Sequence, residues 1–285
     1  MHDVKFIAPT NIGEAAELLA KYGSKASVLA GGTDLVPKIN CYELRPEVIL
    51  YLGNLGINTI KEAKGGLEIG ACTPISAFLD NSLIAKKAPV LRRAALEHSS
   101  PAIRSAGTIG GNIMNASPAG DMIVPLYALD AKFTLVSSSG ERTVPAEEFF
   151  AGPGKTVCSA GELLTTIHIP EVGGGTSFVK LGRRKAQVLA VVSAGVRLKV
   201  EDGVCKEARI ALGSVAPTVI RCPKAEEMLA GKKVDAGLLR ACAEAAIAES
   251  RPIDDVRASA WYRAEAGKGI VRQALFAAAG LEYTD

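Results

Sequence analysis

Two glycine-rich stretches hold the residue types best suited to chemistry in this chain: Ala30-Gly31-Gly32-Thr33-Asp34 and Thr108-Ile109-Gly110-Gly111-Asn112. Each sets a Gly-Gly pair beside a threonine and a polar side chain. Glycine lets backbone N–H groups turn toward an anion and lets the chain approach a ligand closely. Thr33 and Thr108 add hydroxyl donors for phosphate oxygens, and Asn112 adds an amide for loop or ligand. A single Gly-Gly is equally an ordinary tight turn. Two such stretches, far apart in sequence, imply a pyrophosphate gripped from two sides. That calls for a nucleotide-type cofactor, foremost a flavin dinucleotide.

Other reactive residues are sparse. Ala116-Ser117-Pro118-Ala119-Gly120-Asp121 follows the second stretch. Asp121 can cap the next helix, accept hydrogen bonds from ribose or ribityl hydroxyls, or do both. The six cysteines (Cys41, Cys72, Cys158, Cys205, Cys222 and Cys242) form no C-x-x-C pair and lie at no metal-ligand spacing from a histidine. They are expected to be reduced and mostly buried. His2, His98 and His168 make no triad or zinc pattern, so no metal site is expected.

These residues need elements to hold them. A strand is expected at 4–7, then a helix with Asn11 and Glu14 as capping box and Gly23 as its stop. A short strand at 26–30 runs into the first glycine turn, and another lies at 48–52. Hairpins are expected from 57–63 with 67–71 and from 132–136 with 142–144. Helices are expected at 74–78, 84–97 and 121–129, and a strand at 162–169. Residues 171–175, with three consecutive glycines, read as a linker. Beyond them, strands at 188–200 and 204–212 precede alanine-rich helices at 224–229, 235–249 and 261–279. Strands followed by helices suggest a small α+β layer domain.

The common nucleotide folds do not fit. A Rossmann unit needs G-x-G-x-x-G between strand and helix. No third glycine follows Gly31-Gly32 at that spacing, and Pro37 with the polar residues after it argues against a helix there. A P-loop motif is absent from the sequence.

With 285 residues, 48% hydrophobic and 22% charged, the chain has room for one large domain or two ordinary ones with a real core. The formal charge of +3 is scattered, with no basic stripe to suit a nucleic acid. The N-terminus lacks a signal-peptide pattern, and no apolar run would span a bilayer, so the cytoplasm is the expected location.

Taken together, the two glycine stretches, the A-S-P-x-x-D segment and Lys180-Leu181-Gly182-Arg183-Arg184 resemble the FAD-binding medium subunit of the molybdenum hydroxylases. That family includes carbon monoxide, xanthine and nicotinate dehydrogenases and quinoline oxidoreductase. The resemblance runs in order over essentially the whole chain. It implies an α+β fold: a two-subdomain FAD-binding domain of the vanillyl-alcohol oxidase type at 1–174 (subdomains about 1–55 and 56–174), plus a small α+β C-terminal flavoprotein domain at 175–285. It implies that Val28, Leu29, Ala30, Gly31, Gly32, Thr33, Asp34 and Leu35 bind the FAD pyrophosphate with Thr108, Ile109, Gly110, Gly111 and Asn112. Asp121 would bind sugar hydroxyls. His98 would lie near the cofactor, Leu164 on a strand approaching it, and Lys180 near the flavin ring. The same Lys180 also reads as a solvated lysine on a strand, and Arg183 and Arg184 as partner-facing or simply paired.

The resemblance further implies a 2Fe–2S small subunit and a molybdopterin large subunit as partners, in a heterotrimer that can double. Electrons would pass from the iron–sulfur subunit through FAD to an external acceptor, with no catalytic side chain in this chain. One branch of the family carries a cysteine-rich insertion for a 4Fe–4S cluster. Residues 121–144 here hold no cysteine, so no cluster is expected. Two other readings remain at this point: a stand-alone flavin oxidoreductase with its own substrate pocket, and a non-redox nucleotide-binding module.

Overall fold

A computed structural model describes residues 4–184 and 187–283. The N-terminal residues 1–3, His2 among them, lie outside the described residues. Strands β1 (Lys5–Ile7), β2 (Ala26–Leu29) and β3 (Val48–Tyr51) form a parallel sheet in the order β1-β3-β2. Helix α1 (Ile12–Tyr22) supplies the crossover from β1 to β2 and buries Ala15, Ala16 and Leu19. Asn11 Oδ1 accepts the Glu14 N–H at 2.9 Å, and Gly23 ends the helix at φ +51°. The return bond of the capping box reaches one residue further back, because the Glu14 carboxylate accepts from the Thr10 N–H and hydroxyl.

The first glycine turn leaves β2 and enters helix α2 (Leu35–Asn40). This corrects the expectation drawn from Pro37. The proline occupies the first helical turn, where its missing N–H has no intrahelical acceptor to lose.

The next hairpin is β4 (Ile60–Ala63) with β5 (Gly66–Gly70), followed by α3 (Ala77–Asp80), α4 (Ser82–Lys87) and α5 (Pro89–Glu97). The single helix expected at 84–97 is two. Ala88 precedes Pro89 and is forced out of the helical region to φ −144°, ψ 54°. Helices α6 (Pro101–Ala106), α7 (Ile109–Asn115) and α8 (Ile123–Ala128) come next. They are followed by β6 (Lys132–Ser137), β7 (Gly140–Pro145), α9 (Ala146–Phe149), the short pair β8 (Phe150–Gly152) and β9 (Lys155–Thr156), and β10 (Leu163–Pro170). A five-stranded antiparallel sheet runs β4-β5-β10-β6-β7. Its apolar face, with Ile69, Phe133 and Ile167, packs under Phe78, Leu91, Ile109 and Leu126 of the helices. Each of these aromatic or branched side chains contributes about 1.5–3 kcal/mol by leaving water.

The third sheet is an antiparallel meander of β11 (Gly175–Leu181), β12 (Val192–Glu201), β13 (Val204–Gly213) and β14 (Ile220–Arg221). Strand β11 carries Lys180, read on a strand, but it begins inside the segment read as linker. Gly175, read as linker, opens the strand, and a Cβ there would overlap the Ala278 carbonyl oxygen. Strand β12 starts at Val192 rather than 188. Helices α10 (Pro223–Leu229), α11 (Ala236–Ala248) and α12 (Ala260–Ala279) cover this sheet and bury Leu198, Ile210, Leu239 and Leu275. No helix among the described residues is long and apolar enough to cross a membrane.

The meander lies on α8, whose six residues are all buried. Gly195 permits the approach, since a Cβ there would stand 3.0 Å from the Val124 side chain. At the far end of α8, Asp130 gathers three arginines from three strands. Arg197 Nη2 lies 2.7 Å from Oδ2, Arg209 Nε 2.9 Å and Arg221 Nη1 3.1 Å from Oδ1. The Arg197 side chain is 1% exposed and also donates to the Ala128 carbonyl. Removing Asp130 takes one shared carboxylate from three arginines that keep Glu207 or Glu226 as partners. Asp130→Ala should therefore lower unfolding free energy by about 2 kcal/mol, the cost of lost charge-assisted hydrogen bonds, read from the shift of the urea midpoint of the apo chain.

Candidate functional site

The two glycine stretches meet. A Cβ on Gly31 would overlap the Ala106 carbonyl oxygen, and one on Gly107 would stand 3.2 Å from Thr33 Oγ1. Only bare glycine backbone lets the first turn lie against the chain entering the second. Between them opens a cleft of about 570 Å³, within the usual size of a cofactor site. Of the residues singled out from the sequence, Val28, Ala30, Gly31, Gly32, Thr33, Asp34, Leu35, His98, Thr108, Gly110, Gly111, Asn112, Asp121 and Leu164 line it. Leu29, Ile109 and Lys180 do not. Ile109 is fully buried in the core, and Lys180 stands behind Asp121.

The turns differ in what they offer. No acceptor among the described residues takes the N–H groups of Gly31, Gly32, Thr33, Asp34 or Leu35. Five consecutive unpaired donors in a turn form an anion-seeking concavity. The second stretch is not a free loop; it is the first turn of α7. Its Ile109 and Gly110 N–H groups bond to the Thr73 and Ala71 carbonyls, and its Gly111 and Asn112 N–H groups to Thr108 Oγ1 and O. This corrects the expectation of amide donors on both sides for Ile109 to Asn112; among the described residues only the Thr108 N–H of this stretch has no acceptor. Thr108 caps the helix by accepting, which leaves its hydroxyl hydrogen available to donate.

Beyond the turns, Asn112 Oδ1 and Asp121 Oδ1 are buried and have no hydrogen-bond partner among the described residues. Both residues line the cleft. A buried acceptor without a donor costs about 1–3 kcal/mol, so the cleft suits a ligand rich in hydroxyl or N–H donors. Asp121 does not cap α8, whose N-cap is Met122 with no side-chain bond. Its Oδ2 instead faces Lys180 Nζ at 2.7 Å and His98 Nδ1 at 3.3 Å.

The remaining wall is partly apolar. Leu164 lines the cleft next to an irregularity in the β10–β6 register, between Leu164 and Thr166, a device that re-aims side chains beside sites. Gln187, Val188 and Leu189 reach the cleft from the C-terminal part; Val188 and Leu189 were read as the start of a strand, and none of the three gave a functional signal. Glu162 is gripped by both Arg142 nitrogens at 2.6 and 2.8 Å. That guanidinium holds its carboxyl down at about 2. Burial pushes the Cys72 thiol up to about 11, which leaves it a neutral wall atom rather than a nucleophile. All six cysteines are free. Among the described residues no three His, Cys, Asp or Glu side chains group to hold a metal.

Such a cleft, with anion-seeking amides at one end and unmet hydroxyl acceptors along it, defines a dinucleotide-cofactor protein built without a Rossmann unit. A family model for the "FAD binding domain in molybdopterin dehydrogenase" matches residues 2–172, and one for the "CO dehydrogenase flavoprotein C-terminal domain" matches residues 177–278. The chain belongs to this family of FAD-binding medium subunits of molybdenum hydroxylases. The carbon monoxide dehydrogenase medium chain of Hydrogenophaga pseudoflava is 33% identical, covering 96% of each chain. The glyceraldehyde dehydrogenase medium chain of Sulfolobus acidocaldarius is 33% identical over 95% of this chain and 97% of its own. Among solved structures, reconstituted CO dehydrogenase from Oligotropha carboxidovorans superposes with a TM-score of 0.94 at 32% identity, covering 98% of this chain and 99% of its own. The fold is accordingly an α+β FAD-binding domain followed by the family's C-terminal domain.

Gly31→Ala is the sharpest test of the shared cleft. The added methyl must push the first turn away from Ala106 and Gly107. FAD affinity, measured by flavin fluorescence titration, should fall by at least about tenfold, the equivalent of 1.4 kcal/mol.

Proposed function

We propose that this chain is the electron-transfer flavoprotein of a cytoplasmic, three-subunit molybdenum hydroxylase. It would take electrons from a 2Fe–2S small subunit, itself reduced by a molybdopterin large subunit. The observation that carries the reading is the contact of Gly31 with Ala106 and Gly107, which gives both glycine turns one cleft with unpaired amides on one wall. We divide the chain into a cofactor domain at 1–174, with subdomains about 1–55 and 56–174, and a C-terminal domain at 175–285.

The residues fit FAD. The Gly31 to Leu35 amides suit the diphosphate, with the Thr33 and Thr108 hydroxyls as further donors to its oxygens. Asn112 Oδ1 and Asp121 Oδ1 suit sugar or ribityl hydroxyls. The apolar lining of Val28, Leu164, Val188 and Leu189 suits a flat ring. When bound, FAD supplies the one- and two-electron redox chemistry; the chain binds, orients and shields it. The relatives named as medium chains of carbon monoxide and glyceraldehyde dehydrogenases support the multi-subunit assembly.

If the amide wall carries affinity, ligands should rank by phosphate content. FAD should bind the purified apo chain more tightly than FMN. Riboflavin should be weaker than FAD by about a hundredfold, or about 2.7 kcal/mol. Equal binding of riboflavin and FAD in a calorimetric titration would refute the diphosphate assignment. Co-expression with neighbouring genes for 2Fe–2S and molybdopterin subunits should yield one complex containing all three chains on gel filtration. A chain that elutes alone in their presence would refute the assembly.

A further inference from the structure

Lys180 stands behind the cofactor wall without being part of it, unlike Lys38, which lines the cleft. It projects from β11 and is 2% exposed. Its ammonium donates to the Glu97 carbonyl at 3.0 Å, at the end of α5, and to Asp121 Oδ2 at 2.7 Å. Two of its three donors are thereby spent on protein. Asp121 is 6% exposed at its side chain, and its Oδ2 also meets His98 Nδ1 at 3.3 Å. His98 is in turn fixed through its carbonyl, which accepts from Arg104 Nη1 at 2.8 Å.

One carboxylate oxygen is thus held from two sides. The other, Oδ1, is buried, has no partner among the described residues, and belongs to a residue lining the cleft. A carboxylate bound only on one oxygen keeps a defined rotamer and presents its second oxygen in a fixed direction. A lysine that instead met the ligand would leave that carboxylate free to turn.

We propose that Lys180 is a positioning residue for the cofactor. By gripping Oδ2 it aims Asp121 Oδ1 at a donor hydroxyl of the ligand, and so makes FAD affinity depend on a strand of the C-terminal domain. The inference rests on the reading of the cleft as an FAD site and goes beyond it by giving Lys180 an indirect role, in place of direct contact with the flavin ring. An ion pair of this kind acts as a unit, so its two members should not contribute independently.

The test is a double-mutant cycle on the full chain, with the FAD dissociation constant as readout and the visible spectrum of bound FAD as a second. Lys180→Met should weaken FAD binding by about tenfold. Asp121→Ala should weaken it by at least as much. The double variant should bind no more weakly than Asp121→Ala alone, because Lys180 acts only through that carboxylate. The spectrum of residual bound FAD should be unchanged by Lys180→Met. Losses that multiply in the double variant, or a shifted flavin band in Lys180→Met, would place the ammonium on the cofactor and overturn the proposal. Unchanged affinity in Lys180→Met, with lowered thermal stability of the apo chain, would reduce the pair to a structural role and overturn it too. Should Lys180→Met fail to fold because it strands a buried carboxylate, the double variant removes both charges and is expected to fold. The comparison of Asp121→Ala with the double variant then decides alone. Failure of the wild-type chain to bind FAD would defeat the cofactor reading itself, a distinct outcome.

Discussion

The site exists because a backbone is allowed to touch a backbone. Gly31 lies against the Ala106 carbonyl and the Gly107 Cα with no room for a side chain. That contact draws together a turn from the parallel sheet and a helix start from the antiparallel one. Neither sheet encloses a ligand by itself. The parallel sheet ends in an open row of donors, and the antiparallel sheet carries a helix whose first turn is already satisfied by Thr73, Ala71 and Thr108. Closing one against the other converts two surfaces into a cleft. A tighter side chain at this crossing would cost the cleft its width before it cost the fold its core.

A second constraint holds the C-terminal domain in register with that cleft. Helix α8 is apolar along its length, and each end carries a carboxylate: Asp121 just before it and Asp130 just after. Both are met by cations from the meander, Lys180 from β11 at one end and Arg197, Arg209 and Arg221 at the other. Burial of α8 alone would be indifferent to small slides of the sheet, because hydrophobic contact is non-directional. Hydrogen-bonded ion pairs at both ends are directional, so they select one position of sheet on helix. Glycines at 195 and 213, packed on Val124, let the sheet come close enough for those pairs to form.

Much of this was legible in the sequence, where local chemistry decides the outcome. Asn11 and Gly23 bound α1, the hairpins closed between the strand pairs expected at 57–71 and 132–144, and the two glycine stretches line one cleft. What escaped was non-local. The amides of Ile109 and Gly110 are consumed by Thr73 and Ala71, which nothing in the local sequence links to the second stretch. Lys180 carries a motif match, but its orientation depends on where β11 packs against α5. The start of strand β11 was hidden by Gly173-Gly174-Gly175, which reads as linker until the approach of Leu198 to Gly174 and of Ala278 to Gly175 explains why side chains are excluded there. Helix α2 was lost to Pro37, a residue that forbids helix interiors but not first turns.

The two clamps therefore do different work, although their sequences look alike. The first presents unpaired amides and a positive φ at Gly32 of +73°, and it is built for charge. The second has spent its Ile109 to Asn112 amides on its own fold, and a Cβ on Gly110 would stand 2.6 Å from the Ala71 oxygen. Its glycines serve closeness of α7 to the strand end at Ala71, and what remains for a ligand is the Thr108 N–H and hydroxyl and the Asn112 acceptor. A diphosphate bridge has negative oxygens along it and hydroxyl-bearing sugars beyond it. An anion-seeking turn facing a hydroxyl-and-acceptor wall matches that order of groups, whereas two identical amide clamps would not.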